Sequence, residues 1–237
     1  MSAFRVEPLG EDALLLRFAD TIDADANRRV HAMAAAIARA RPAWLRELVP
    51  GYASLALAVD PDAPGDADPL ARARAWLETL PPVDVHETEA DAPAVVVPVC
   101  YGGEFGPDLD ELAHHAGLTP EDAIRRHATG EYRVAMLGFA PGFPYLLGLD
   151  PVLAMPRLRT PRTRVAAGSV GIGGAQTGIY PREGPGGWRI IGRTPLSLFD
   201  AARPAPSLLA PGQRLRFEPV DAATFARLAA QRHRIRR

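Results

Sequence analysis

The chain has 237 residues, enough for one large domain or two small ones, and either arrangement can bury a hydrophobic core. Its formal net charge of −1 gives no reason to expect bulk attraction to nucleic acid or to an anionic membrane. All 27 basic residues are arginine, and the absence of lysine excludes a P-loop lysine, a Schiff-base lysine and a biotinyl-lysine on this chain.

The first 80 residues predict a small α+β layer. Residues 4–18 alternate between apolar and polar side chains around a Pro-Leu-Gly-Glu-Asp turn, which indicates a β-hairpin. Asp23 or Asp25 can cap a following helix whose apolar residues fall at helical spacing. Two further strands and a second helix, which ends near Leu80, complete a ββαββα order. In such an order the helices cover one face of an antiparallel sheet.

Residues 81–93 are the best linker candidate in the chain. The segment is polar, acidic and bounded by prolines, and it separates two regions of different pattern. We therefore predict domain boundaries at 1–85 and 92–237.

Two helices are marked by their ends in the next part of the chain. Asp108 and Glu111 have the spacing of a capping box for a helix that Gly117 closes. Thr119 is the predicted N-cap of a second helix, with proline in its first turn, that ends near Gly130.

Glycine and proline recur every few residues from 138 to 200, between short apolar runs. Glycine permits positive φ and proline removes a ladder donor, so this pattern favours short strands joined by tight turns. A small barrel or sandwich is expected here, followed by a strand at 215–217 and a last helix at 222–230.

Four arginines lie close together around Pro161. Arg162 and Arg164 are two residues apart, so in an extended segment their side chains share one face, where two guanidinium forks suit a carboxylate or phosphate. An edge strand whose charges block aggregation explains the same spacing, and the spacing alone favours that alternative.

Residues 168–178 are rich in glycine and small polar groups. Exposed backbone amides with Ser169, Gln176 and Thr177 could cradle an anion or an amide carbonyl. The segment lacks the ending of a P-loop, and a glycine-rich hairpin with bulges is the simpler alternative.

Few residues have the pattern of a catalytic or metal site. The six histidines have no metal-ligand spacing, and His127 is interpreted as a cap or packing residue with a possible supporting role behind the glycine loop. Cys100 is the single cysteine, which excludes an intrachain disulfide, and a buried, inert thiol is expected. Catalytic residues and metal ligands are therefore not assigned. With no signal pattern and no apolar run of spanning length, a cytoplasmic chain is expected.

Three long motifs, in this order, closely resemble those of the 5-oxoprolinase B-subunit family, which is also described as allophanate hydrolase subunit 1-like or Kip-type sporulation-kinase inhibitor. The motifs are GFAPGFPYLLGL (138–149), PRTRVAAGSVGIGGAQTGIYP (161–181) and GGWRIIGRTPLSLFD (186–200). The likeness extends to YGGEFGPDL (101–109) and PGQRLRF (211–217), so it covers nearly the whole chain.

The resemblance implies an α+β protein in which a small α+β domain precedes a cyclophilin-like β-barrel. It also implies two partners, a homologue of the 5-oxoprolinase C-subunit and a homologue of its A-subunit, with which the assembly opens 5-oxoproline to L-glutamate using ATP. Where the complex binds ATP is not assigned. The resemblance leaves two other functions open: inhibition of a sensor histidine kinase, and the carboxyltransferase half of an allophanate or urea carboxylase-type system.

Residue roles follow from this chemistry. The reaction needs cations on the phosphate and on the substrate carboxylate, and donors on the developing oxyanion. The substrate-binding candidates are Arg162, Arg164, Arg193, Ser169, Gln176 and Thr177.

Three aromatic residues near Gly138 are candidates for a partner interface. Phe139, Phe143 and Tyr145 stand between turn residues, as is common at interface cores. Plugging of the barrel is the alternative for all three, and for Phe139 it explains the residue equally well. Because the chain has no evident nucleophile–base pair, it is expected to be inactive alone.

Overall fold

A computed structural model of the chain describes residues 4–64, 68–81 and 93–235. The chain divides into two compact units, Met1–Asp91 and Ala92–Arg237. Most of the predicted linker, 82–92, lies outside the described residues, so the boundary between independently folding domains stays a prediction.

The first unit is an antiparallel sheet with two helices. Its elements are β1 (Arg5–Pro8), β2 (Ala13–Arg17), α1 (Ala24–Ala40), β3 (Leu45–Pro50), β4 (Ser54–Val59) and α2 (Pro69–Glu78). The strand order is β1-β2-β4-β3, and the ββαββα order is the one predicted. Alternate residues of β2 and β4, such as Leu16 and Leu57, are buried under the helices, as the period-two pattern requires. Asp23, one of the two predicted caps, accepts a hydrogen bond from the Ala26 amide over 2.7 Å.

The second unit contains nine strands and three helices among the described residues. In chain order these are β5 (Val95–Tyr101), α3 (Leu109–Ala116), α4 (Pro120–Thr129), β6 (Tyr132–Leu137), β7 (Pro144–Leu147), β8 (Arg162–Val165), β9 (Ser169–Gly173), β10 (Gln176–Ile179), β11 (Gly184–Gly186), β12 (Arg189–Arg193), β13 (Arg214–Pro219) and α5 (Ala222–Ile235). A 3-10 turn at Pro151–Leu153 follows β7. The last helix runs five residues further than the predicted end at Ala230.

Seven of these strands close into a barrel in the order β10-β7-β6-β13-β5-β12-β9. The barrel closes through a parallel pairing of β13 with β5, in which Leu215 lies beside Val95 and Phe217 beside Val97. All other pairings are antiparallel among the described strands, and β8 and β11 form a separate two-stranded sheet. The predicted α+β class with a β-barrel is therefore confirmed.

The predicted capping box at the start of α3 is wrong. Asp108 occupies the N-cap position but makes no side-chain capping bond. Its carboxylate instead accepts two hydrogen bonds from Arg162, at 2.9 and 2.6 Å, and one from the Ile190 amide at 2.6 Å. A bidentate, charge-assisted pair is stronger than a neutral amide cap, so the carboxylate turns away from the helix.

The other helix ends agree with the sequence. Gly117 ends α3 with a φ of 67°, which glycine adopts without strain. The Thr119 hydroxyl accepts a hydrogen bond from the Asp122 amide at the start of α4, over 3.1 Å. Cys100 is buried, and burial raises the pKa of its thiol. In the described ranges no helix combines the length and the hydropathy needed to cross a membrane.

Candidate functional site

A cavity of about 160 Å³ opens beside the loop that connects β6 and β7. We call it the aromatic pocket; it is lined by Phe139, Phe143, Tyr145, Tyr180 and Trp188, with Arg157, Leu158, Pro161, Gly186 and Gly187. The lining comes from both flanks of the glycine-rich hairpin and from the arginine-rich segment, so distant parts of the sequence meet here.

The aromatic rings form rigid walls because they meet edge to face. Phe143 is buried at the centre, with its ring centroid 5.3 Å from that of Tyr180 and 5.6 Å from that of Trp188. The interplanar angles are 90° and 86°, the arrangement that the ring quadrupoles prefer. The walls are therefore held in place without a ligand.

Glycines make room for these rings. A Cβ at Gly173 would lie 2.6 Å from two atoms of the Trp188 indole, and one at Gly178 would lie 3.0 Å from the Phe143 ring. A Cβ at Gly186 would collide with the Tyr180 hydroxyl. The glycine-rich motifs are thus shaped by close contact with aromatic side chains, and not only by turns.

Arg157 is the charged side chain of the aromatic pocket. Its guanidinium carbon lies 5.6 Å from the centroid of the Trp188 ring, within cation–π range. It is exposed, and no carboxylate of the described part of the chain pairs with it. Other arginines near the pocket differ in this respect, since Arg189 binds Glu111 over 2.5 Å.

Phe139 stands at the rim in a strained conformation. Its φ is 64°, a value that bulky residues rarely adopt, and its exposed fraction is 66%. The ring contacts Phe143 at 5.4 Å and Tyr180 at 6.2 Å between centroids. The backbone is thus strained at a residue whose side chain is largely exposed, and strained residues of this kind are often found at functional sites.

The other two predicted interface residues lie deeper. Phe143 belongs to a buried cluster with Val165, Tyr180, Trp188 and Ile190, and Tyr145 packs half-buried against it. The burial of Phe143 supports the packing role for this residue over the interface role.

The predicted arginine pair does not converge on a common space. Arg162 binds Asp108, which is 5% exposed, whereas Arg164 pairs with Glu183 over 2.8 Å and is 77% exposed. Both lie on β8, outside the barrel, and each guanidinium has its own carboxylate.

The other four predicted substrate residues lie apart from one another: three fall at different ends and faces of the hairpin β9–β10, and Arg193 lies on β12. Ser169 is buried and lies opposite Arg193 on β12, whose Nε donates to the Ala167 carbonyl over 2.8 Å. Gln176 pairs with Gly173 at the far end of β9. Thr177 follows it on the strand and therefore faces the other way, into the barrel.

Inside the barrel, Thr177 belongs to a chain of hydrogen bonds through His127. The Thr177 hydroxyl donates to the Gly171 carbonyl over 3.0 Å, so it accepts from Nε2 of His127 at 3.2 Å. Nδ1 then accepts from the Tyr101 hydroxyl at 2.8 Å. Burial lowers the pKa of His127 to about 3, so this imidazole is neutral and satisfied.

Arg157, Tyr180 and Trp188 are the site residues that sequence reasoning missed. Trp188 and Tyr180 each follow a glycine-containing motif, and an aromatic residue beside glycines was the available signal. Their convergence depends on the fold. Within the described ranges, no group of three or more His, Cys, Asp or Glu side chains is placed to hold a metal ion.

The fold and the sequence together define the class of protein to which the chain belongs, the carboxyltransferase domains of the subdomain C and D type. Residues 4–209 match the family model described as carboxyltransferase domain, subdomain C and D. The Kluyveromyces lactis urea carboxylase structure superposes on 96% of this chain and 23% of its own with a TM-score of 0.70, at 19% identity, which shows the fold alone.

Closer similarity identifies the family within that class. The chain is 42% identical to the 5-oxoprolinase B-subunit of Bacillus subtilis (strain 168) over 226 residues, which cover 92% of this chain and 93% of that protein. The crystal structure of TTHA0988 superposes with a TM-score of 0.78 at 38% identity, over 89% of this chain and 40% of that longer chain. This chain belongs to the 5-oxoprolinase B-subunit family.

Proposed function

We propose that the chain is the B-subunit of a 5-oxoprolinase that opens 5-oxoproline to L-glutamate with hydrolysis of ATP. The observation that carries the proposal is the 42% identity to a 5-oxoprolinase B-subunit over nearly the full length of both chains. We further propose that homologues of the C-subunit and the A-subunit complete the assembly. This chain matches only 40% of the TTHA0988 chain, so in that protein the matching part is joined to further sequence. This supports the proposal that the present chain works together with other proteins.

The chemistry explains why ATP is needed. The amide carbon of a five-membered lactam is a poor electrophile. Transfer of the γ-phosphoryl group of ATP to the lactam oxygen converts that oxygen into a good leaving group. A first water adds to the carbon and the C–N bond breaks, with the nitrogen taking up a proton, which gives an acyl phosphate of the open amino acid. A second water then displaces the phosphate and leaves the carboxylate of L-glutamate. The site must bind anions and stabilise charge on oxygen.

This chain supplies anion-binding groups without a proton-transfer pair. Arg157 is unpaired by carboxylates within the described ranges, and Arg193 lies beside Ser169. His127, which hydrogen-bonds Thr177 of the glycine hairpin, is buried and has a pKa of about 3, so it does not serve as a surface base. We propose that the base comes from one of the partner proteins.

The predicted substrate residues divide into two groups under this proposal. Ser169 and Thr177 are buried, and Arg162 binds the buried Asp108, so these three act by positioning the hairpin and β8. Arg164, Gln176 and Arg193 keep partly or fully exposed side chains and remain candidates for contact with substrate or nucleotide.

Phe139 is the proposed docking residue for the C-subunit homologue. A strained, exposed aromatic ring suits the centre of an interface. Phe139→Asp is expected to abolish co-purification with the C-subunit homologue and to leave the thermal midpoint of this chain within a few degrees. Val152→Asp, at another exposed apolar residue of the same unit, is the matched control. Retained co-purification of the Phe139 variant would refute this role.

The function is tested by 5-oxoproline-dependent release of phosphate from ATP. Activity is expected from the three proteins together and not from this chain alone. Turnover by the purified single chain would contradict the joint site, and an inactive assembly of three folded proteins would contradict the function.

The carboxyltransferase half is the second candidate, because the matched family model carries that name. Under it, the chain and its partner would exchange a carboxyl group with a carboxylated biotin carrier. Carboxylation of urea by such an assembly, without cleavage of 5-oxoproline, would favour this function over the first.

A further inference from the structure

We infer that the aromatic pocket binds a small cyclic amide that carries a carboxylate, with the ring against Trp188 and the carboxylate on Arg157. The inference rests on the proposed function and assigns the pocket as the place where this chain recognises 5-oxoproline. It adds residues that the predicted substrate set did not contain.

The size of the pocket selects a small ring. Its volume is about 160 Å³. Pockets for drug-sized ligands have roughly 300–1,000 Å³, so a longer peptide or a nucleotide does not fit inside. A five-membered ring with one carboxylate has a size that suits this volume.

The walls suit a flat ring. Trp188 and Tyr180 are buried, and Phe143 fixes both by edge-to-face contact, so the cavity does not collapse when empty. An amide plane packs on such a face with little loss of conformational freedom in the protein.

The charge of the lining selects an anion. Arg157 is the one charged residue that lines the pocket, and the described lining contains no carboxylate. Contact with the Trp188 face holds the guanidinium near the mouth while its N–H groups lie in the guanidinium plane, free for a ligand. A carboxylate can accept two of these N–H groups at once.

A hydroxyl donor inside the pocket suits the lactam oxygen. The Tyr180 hydroxyl lies beside Gly186 in the pocket lining, and a phenol hydroxyl can donate one hydrogen bond. Burial raises the pKa of Tyr180, although the Trp188 amide and the positive charge of Arg157 oppose this, so the hydroxyl stays protonated at neutral pH. Arg157 and Tyr180 thus address the two polar ends of one small molecule.

Binding is tested by calorimetric titration of the purified full chain with two ligands, 5-oxoproline and 2-pyrrolidinone, which has the same lactam without the carboxylate. Arg157→Gln should weaken 5-oxoproline binding by about ten- to hundredfold and leave 2-pyrrolidinone binding unchanged, since only the former makes the charge-assisted contact. Arg159→Gln, an exposed arginine outside the lining, is the matched control and should bind as the unmodified chain does.

Tyr180→Phe keeps the ring and removes the hydroxyl. It should weaken both ligands by a similar factor of roughly two- to tenfold, because both carry the lactam oxygen. Absence of 5-oxoproline binding, or equal effects of Arg157→Gln and Arg159→Gln, would overturn the inference. An active three-protein complex with no binding to this chain would leave the proposed function standing, and binding without activity of the complex would leave the pocket standing.

Discussion

Two buried polar side chains, Asp108 and His127, hold parts of the barrel unit that are distant in sequence. Asp108 joins the start of α3 to β8 and β12 through three hydrogen bonds. His127 joins α4 to β5 and β10. Both are satisfied, and a satisfied buried polar group specifies one arrangement, because any other leaves it without a partner.

The stability of the chain should fall in mild acid because of His127. The pKa of His127 is about 3 in the folded state and ordinarily 6.5. Above pH 6.5 the imidazole is therefore neutral in both the folded and the unfolded chain, and its titration does not reduce the free energy of unfolding. Below that pH the unfolded chain takes up a proton that the folded chain refuses, and the free energy of unfolding falls by up to about 1.4 kcal/mol per pH unit. Urea titrations at pH 7.5, 6.5 and 5.5 measure this slope. His127→Gln should lose it, whereas His114→Gln, at an exposed site, should keep it; equal slopes in both variants would contradict the assignment.

Arg162 and Arg164 offer a matched pair on one strand. Arg162→Ala leaves a carboxylate that is 5% exposed without its cation, and we expect a loss of about 3 kcal/mol in the free energy of unfolding. Arg164→Ala removes an exposed ion pair and should change it by less than about 1 kcal/mol. Chemical denaturation at neutral pH distinguishes the two, and similar losses would show that the Asp108 pair does not stabilise the fold.

At the scale of elements, the hairpin β9–β10 is shaped by what it packs against. Successive residues face opposite sides, so Thr177 points into the barrel while Gln176 does not. Gly173 lies against the Trp188 indole, and only a residue without a side chain permits that approach.

Gly173→Ala should therefore displace Trp188 and destabilise the unit by about 1–3 kcal/mol, as overpacking does. Gly184→Ala is the control, because a Cβ there meets nothing within 4 Å. Thermal unfolding monitored by tryptophan fluorescence reports both effects. An unchanged midpoint and emission spectrum in the Gly173 variant would refute the contact.

Most helices and strands could be predicted from local chemistry, whereas contacts between segments distant in sequence could not. The Thr119 cap, the Gly117 helix end and the alternating strands depend on neighbours within a few residues. The partner of Asp108 is 54 residues away, and a capping residue has the same sequence pattern whichever donor it chooses. The aromatic pocket was not predictable for the same reason, since ring contacts across a barrel leave no periodic signal.

At the scale of the whole molecule, the two units have separate hydrophobic cores. One contains Leu14, Val30 and Leu57, and the other is built around residues such as Tyr132 and Ile172. A unit with its own core and a closed barrel has what it needs to fold alone.

Residues 92–237 expressed alone should unfold cooperatively, and limited proteolysis of the full chain should cut first within 81–93. The prediction rests on the two compact units and on the acidic, proline-bounded composition of that segment. Cleavage inside either unit before the segment, or a fragment without a cooperative transition, would contradict the boundary.

The parallel pairing of β13 with β5 has a consequence for how the chain is made. In sequence, β5 is the first strand of the second unit and β13 is the last. β5 therefore leaves the ribosome long before β13, its parallel partner, has been synthesised. Pairing between such distant segments is slow to form, and until it does both strand edges are open to other chains. The nascent protein is therefore most vulnerable to aggregation just before synthesis of residues 214–219, and a chain that stops short of them should collect in inclusion bodies.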